Sequence, residues 1–184
     1  MITTNNIMKN ASIALLAAML MSAAPEALLA QCAGGVENPS IDSATPSDAF
    51  LDRPDGTVLH RPSQLIWQRC PLGQNWTGSS CDGSATLMDW ESALLAADSH
   101  GQANHEDWRL PNRNELASIV ETRCHSPAIN GEVFPATPID WFWTSSPVSE
   151  QSDQVWVVLF ADGDLQQAAT SGQYAARLVR AGRQ

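Results

Sequence analysis

The side chains best equipped for chemistry are four cysteines, Cys32, Cys70, Cys81 and Cys124, with four histidines and seven tryptophans. An even number of cysteines without the CxxC or Cys/His spacing of a zinc site points to disulfides rather than to metal binding or a thiol nucleophile. Cys70 and Cys81 bracket the turn-rich stretch from Pro71 to Ser80 and are natural mutual partners, which leaves Cys32 for Cys124. Cys124-His125 superficially resembles a thiol beside its base, but neighbours in a chain rarely point at each other and a disulfide sulfur cannot attack. His60, His100, His105 and His125 are scattered over expected loops without HExxH spacing, and neither a GxSxG elbow nor a phosphate-cradling glycine-rich loop occurs. Asp162 and Asp164 flank Gly163 and would lend oxygens to calcium, yet that ion needs about six or more of them. An Asp-Gly hairpin turn is the stronger reading. No metal, cofactor or catalytic residue is expected, and the chain reads as a protein other than an enzyme.

The remaining chemistry is aromatic. Trp76 stands among Gly, Asn, Thr and Ser between Cys70 and Cys81, where no apolar neighbours force it into a core. A tryptophan on a disulfide-held loop can stack on a sugar face at little ordering cost, whereas the alternative is that it folds back and plugs the loop. Trp141 and Trp143 are the next ligand-binding candidates. Strand alternation puts both on one face with Phe142 opposite, so core packing competes with that role. Arg109 and Glu115 flank a helix start, where such a pair more often ties down a turn than binds a ligand.

Composition narrows the partners. A net charge of −10 repels phosphate backbones, so nucleic acid is not an expected partner. Lys9, the apolar run Ala11 to Ala24 and the exit Ala27-Leu28-Leu29-Ala30 describe a secretory signal peptide over residues 1–30. Lipidation of Cys32 is a competing reading, against which Gln31 is large for the position before a lipid-bearing cysteine. Beyond the signal no stretch is long and apolar enough for a transmembrane segment. The mature chain is expected to be exported to the periplasm or beyond, and its about 154 residues suit one domain.

The elements that would position these residues follow from pattern. Residues 31–47, rich in Pro, Ser, Gly and Asp, read as an irregular leader to a domain over 48–184. Arg53-Pro54-Asp55-Gly56 is a hairpin signal between short apolar runs, and Gln64 to Trp67 forms a further strand. Trp90, Ala93, Leu94 and Ala97 draw one stripe on a helix over Leu87 to His100, started by Asp89 and ended by Gly101. A second helix begins with Asn112 and Glu115 as a capping box, buries Leu116, Ile119 and Val120, and ends near Cys124. Segments 141–146, 155–160 and 176–180 read as strands. Helices in the middle and strands at both ends imply α+β with an antiparallel sheet.

Several segments in order resemble the Lcl C-terminal domain family, an exported bacterial domain of unknown function. They are Asp55-Gly56-Thr57-Val58, Leu65-Ile66-Trp67, Arg69-Cys70-Pro71 with Gly73-Gln74 and Trp76, Trp90 with Ala93, and Asp107-Trp108-Arg109-Leu110-Pro111-Asn112 with Glu115-Leu116. Pro127-Ala128-Ile129-Asn130 with Phe134-Pro135, Trp143-Thr144-Ser145-Ser146 and Arg177-Leu178-Val179-Arg180 complete the set, over roughly 48–182. The resemblance implies a C-type-lectin-like or formylglycine-generating-enzyme-like fold, with two helices packed on twisted antiparallel strands. It marks Trp108, Arg109, Leu110, Pro111, Glu115, Arg177 and Arg180 as structural motif residues. Oxidase chemistry of the generating enzymes needs a late cysteine pair, and no cysteine follows Cys124. Relatives at the ends of adhesins imply a binding module for sulfated polysaccharides, a poor match to the charge of −10. The leading reading is a binding domain for carbohydrate or another surface partner. A structural module packed against an envelope protein and a degenerate oxidase are the alternatives.

Overall fold

The computed structural model describes residues 31–182 except Ala33, so the expected signal peptide lies outside the described residues. A short β1 (Val36–Glu37) precedes a meander of β2 (Phe50–Asp52), β3 (Thr57–His60) and β4 (Leu65–Gln68). The two-residue strands β5 (Asn75–Trp76) and β6 (Cys81–Asp82) pair within the loop closed by Cys70–Cys81. Then come α1 (Trp90–Asp98), the five-residue α2 (Arg113–Ala117) and β7 (Cys124–His125), which pairs with β1. The hairpin β8 (Trp141–Val148) and β9 (Gln151–Leu159) is extended by β10 (Leu165–Ala169), and β11 (Val179–Ala181) returns to pair with β4.

The expected α+β layout, two helices packed on twisted antiparallel strands, is not the one that forms. The domain is mostly β, in four small sheets, with α1 as the one helix of more than a few residues among those described. Asp89 caps α1 as its position suggests, accepting from Ser92 N at 2.8 Å. The capping box of α2 also forms, but the helix stops at Ser118 instead of reaching Cys124. The Ser118 hydroxyl donates to Glu115 O at 2.6 Å and competes for a helix carbonyl, and the β-branched Ile119 and Val120 follow. Val120 then bridges to Ile129, and the Glu121 N–H donates to Ala128 O at 3.1 Å instead of to a helix carbonyl.

Consecutive residues on the central strands serve two different cores. Trp67, Phe142, Val158 and Val179 belong to one apolar cluster with Phe134 and Phe160. Their neighbours Ile66, Trp143, Val157 and Leu178 belong to a second with Trp108 and Leu110. Successive side chains on a strand point to opposite faces, so the chain is buried on both sides at Ile66–Trp67 in β4, Phe142–Trp143 in β8, Val157–Val158 in β9 and at Leu178–Val179, where it enters β11.

The leader is tied to this body. Cys32 is bonded to Cys124, Asn130 Nδ2 donates to Thr45 O at 2.9 Å, and Arg123 pairs with Glu37 at 2.7 Å. Glu121, fully buried, accepts from the Ser43 hydroxyl at 2.7 Å and from both the backbone N–H and the hydroxyl of Thr45 at 2.8 and 2.9 Å. Backbone N–H groups of Ala44 and Arg123 complete the cage at 3.0 and 2.9 Å. Burial pushes this carboxyl up, but the Ser43 hydroxyl and the three backbone donors outweigh burial and hold it below its ordinary 4.5.

A depressed carboxylate contributes stability that is fully present above its unfolded value and lost as pH falls through its folded value. Amide protection at Ala44, Thr45 and Arg123 should therefore be intact at neutral pH and collapse only as acidification carries the pH below the ordinary carboxyl value, read by hydrogen exchange. Glu121→Gln sets an amide NH2 among donors and should remove that protection at neutral pH, costing about 1–3 kcal/mol. Unchanged exchange in the variant would show that the leader is held by other contacts.

Candidate functional site

A concavity of about 410 Å³ lies where the end of β4, the disulfide-closed hairpin and the segment after α1 meet. β4 ends on Gln68, which is buried because β3 and β11 flank it. Arg177 fixes the backbone there from within the core, donating to Gln68 O at 3.0 Å and to Arg69 O. The left-handed Gly73, where a Cβ would fall 2.6 Å from Thr86 N, lets the hairpin stem lie flat on the segment after β6. Gln74 and Trp76 are thereby presented from one side, and His100 and Gln102 from the other.

The polar side chains form one connected network. Gln102 Nε2 donates to Asp55 O at 3.0 Å, which turns Gln102 Oε1 toward Gln68. Gln68 Nε2 donates to that oxygen at 2.7 Å and stands 2.5 Å from His100 Nε2. One amide nitrogen has two hydrogens, enough to serve both partners in the tautomer that leaves a lone pair on His100 Nε2. Gln74 Nε2 donates to Gly83 O and Ala136 O, both at 3.2 Å.

Trp76 is half-buried at the rim. Its ring rests on left-handed Gly56, where an added Cβ would come within 2.9 Å of the Trp76 Cβ and Cγ. The Arg69 guanidinium lies 4.8 Å from the ring centroid and is itself held by Asp52 at 2.6 Å and by Val133 O at 3.0 Å. The indole is oriented without being enclosed.

The other two tryptophan candidates are not brought to this cavity. Trp143 is fully buried, donates its indole N–H to Met88 O at 2.7 Å and packs edge-on against Tyr174 at 4.7 Å. Trp141 is half-buried at the border of the second core. Arg109 grips Glu115 with two bonds of 2.7 and 2.8 Å, and Glu115 also accepts from Asn112 N at 2.8 Å. Burial raises the Glu115 carboxyl, but the Arg109 guanidinium and the Asn112 N–H bring it below its ordinary value. The pair fastens the start of α2. Leu110 and Pro111 are buried before that start, and Trp108 supports the cavity from behind, donating to Gln102 O at 3.3 Å with His100 edge-on at 6.3 Å. Arg180 covers the opposite side of this region, 5.5 Å from the Trp108 ring.

Asp162 accepts from Asp164 N at 3.2 Å in a turn where Gly163 is left-handed. Among the described residues no group of three or more His, Cys, Asp or Glu is placed to hold a metal.

Residues 56–180 match the Lcl C-terminal domain. The chain belongs to the Lcl C-terminal domain family. No curated protein matches it. In this Lcl C-terminal domain the match opens on Gly56, beneath Trp76, and closes on Arg180, against Trp108, so it spans every residue of the cavity. Gln68, Gln74, His100 and Gln102 lack any local signature as site residues. Gln68 stands 32 and 34 residues from its partners His100 and Gln102, and a pairing of that range leaves no periodic trace.

Proposed function

We propose that this Lcl C-terminal domain is a non-catalytic, extracytoplasmic binding module that seats carbohydrate against Trp76. The carrying observation is the combination in one cavity of a half-exposed, cation-backed indole with three glutamine side chains and a histidine. Sugars are bound by that pairing of an aromatic platform with neutral hydrogen-bonding groups. Two disulfides support residence outside the cytoplasm. All four cysteines are in disulfides and His100 Nε2 is engaged by Gln68 at 2.5 Å, which supports binding rather than catalysis.

A glycan array probed with the wild-type protein and with Trp76→Ala tests the reading. Loss of the ring should weaken array binding at least about tenfold, equivalent to about 1.4 kcal/mol. Stability should fall by only about 1 kcal/mol, because the ring is half-exposed. Array binding indifferent to Trp76→Ala would place recognition elsewhere. One observation favours a second reading, as a module packed on an envelope protein: Leu95 on α1 is 63% exposed beside a groove lined by Leu94, Trp108 and Leu110.

A further inference from the structure

An edge strand carries unpaired N–H and C=O groups, and the two larger sheets of this domain end on β2, β11, β8 and β10. Three of these edges are closed or blunted. Arg109 exchanges backbone bonds of 3.0 and 2.9 Å with Val179 on the outer side of β11. Ala175 covers β8, accepting from Trp143 N at 2.9 Å and donating to Trp141 O at 3.0 Å, and Pro147 lies further along that strand. β2 has only three residues, ends on the charged Asp52 and runs into Arg53-Pro54.

β10 has no such protection. Its five residues include no charge, proline or glycine, and all but Ala168 are exposed, Leu165 to 41%. Leu159 N donates to Asp164 O and Thr170 N to Asp153 O, both at 2.8 Å, so in this register Gln166 and Ala168 exchange bonds with β9. The alternation of an antiparallel ladder then turns the N–H and C=O groups of Leu165, Gln167 and Ala169 outward. Of these, only Ala169 O has a partner among the described residues, accepting from Gly172 N at 2.9 Å. The backbone of an extended polypeptide matches such a row of donors and acceptors. Carboxylates stand at both ends, with exposed Asp162 and Asp164 before the strand and exposed Asp153 beside Thr170 after it. Neither β9 nor β10 contains a Lys or Arg, and the Arg113 guanidinium that reaches β9 is stacked on Trp156, 5.0 Å from the ring centroid.

We propose that β10 is a docking edge, separate from the Trp76 cavity, to which an extended segment of another protein flanked by Lys or Arg adds as a further strand. Charge complementarity selects that occupant. A second copy would bring another chain of net charge −10 to an edge already flanked by carboxylates, whereas cationic ends are attracted to both of its ends. Backbone bonds hold the added strand, and its alternate side chains lie beside Leu165 and Gln167.

The isotope-labelled protein is titrated with a peptide of alternating Thr and Val capped by Lys at both ends, and with the same peptide capped by Glu. The Lys peptide should bind, and the Glu peptide should bind at least about tenfold more weakly. With the Lys peptide bound, hydrogen exchange at the Leu165, Gln167 and Ala169 amides should slow at least about tenfold, because those N–H groups gain acceptors. Gln167→Pro removes the central outward donor without touching the ladder to β9. It should weaken the Lys peptide at least about tenfold while the melting temperature stays near the wild-type value. Should that variant melt early, Leu165→Lys at an exposed position sets a cation beside the incoming ones and should weaken the peptide likewise. Binding of the Lys peptide that leaves those three amides unprotected, or that survives both substitutions, would overturn the docking edge. So would equal binding of the Glu peptide, or no binding of either. Slowing of the same amides with rising protein concentration and no peptide would give the edge to a second copy and overturn the proposal.

Discussion

Replacing Arg177 with Met should lower the unfolding free energy by about 3 kcal/mol or more, seen as a clear drop in the urea midpoint. Arg177 is fully buried, and among the described residues it has no carboxylate partner. Its charge is met by carbonyl oxygens of Gln68 and Arg69, by the Thr137 hydroxyl at 2.6 Å, and by the face of Phe134 at 4.8 Å. Burial pushes the guanidinium down to about 9, so it remains cationic at neutral pH. That burial penalty is constant below this value and shrinks only as pH climbs from there toward the ordinary arginine range. Methionine would relieve the desolvation cost but orphan two buried carbonyls and a hydroxyl, each worth about 1–3 kcal/mol. The orphaned acceptors therefore decide the sign. An unchanged midpoint would mean that these acceptors find other donors. Since one of them is the Gln68 carbonyl, the variant should also blur the cavity floor.

Trp108→Ala should cost about 3 to 5 kcal/mol, the range of large-to-small changes in cores. For a domain of this size that corresponds to a fall in melting temperature of roughly 6 to 20 °C. The ring is 3% exposed and packs in the second core. Truncation also removes the bond to Gln102 O, the edge contact with His100 and the surface beneath Arg180. Trp108→Phe keeps most of the apolar volume and should cost distinctly less, since only the indole N–H and part of the ring are lost. A melting curve for Trp108→Ala that overlays the wild type would remove Trp108 from its supporting role, both for the core and for the His100–Gln102 wall.

Local features of this fold were legible in the sequence where a local rule decided them. The spacing of Trp90, Ala93, Leu94 and Ala97 marks α1, and Asn112 with Glu115 caps α2. The cysteine spacing anticipates both disulfides, because the short loop settles one pair and the count settles the other. What pattern reasoning misjudged was the balance between local helix signal and tertiary demand after Ala117. Leu116, Ile119 and Val120 have helical spacing, yet the buried Glu121 cage and the Cys124 disulfide hold the following chain in another course. Phe142-Trp143 shows a related error. Two bulky neighbours on one strand violate the expectation of one wet face, and that violation is the trace of a strand buried between two cores. Of the site, Trp76 stood out because it lacked apolar neighbours. Gln68, His100 and Gln102 did not, since their meaning arises only when β4 and the end of α1 come together.

The central claim is that ligand lies against Trp76 in the cavity shared with Gln68 and Gln74. It is tested most directly by an NMR titration with an oligosaccharide that the array selects, following side-chain amide and indole N–H resonances. The indole of Trp76 and the amides of Gln68, Gln74 and Gln102 should shift together and saturate at one dissociation constant, while the buried indole of Trp143 stays in place. Shifts gathered instead around Leu94 and Leu95, with Trp76 unmoved, would contradict the claim.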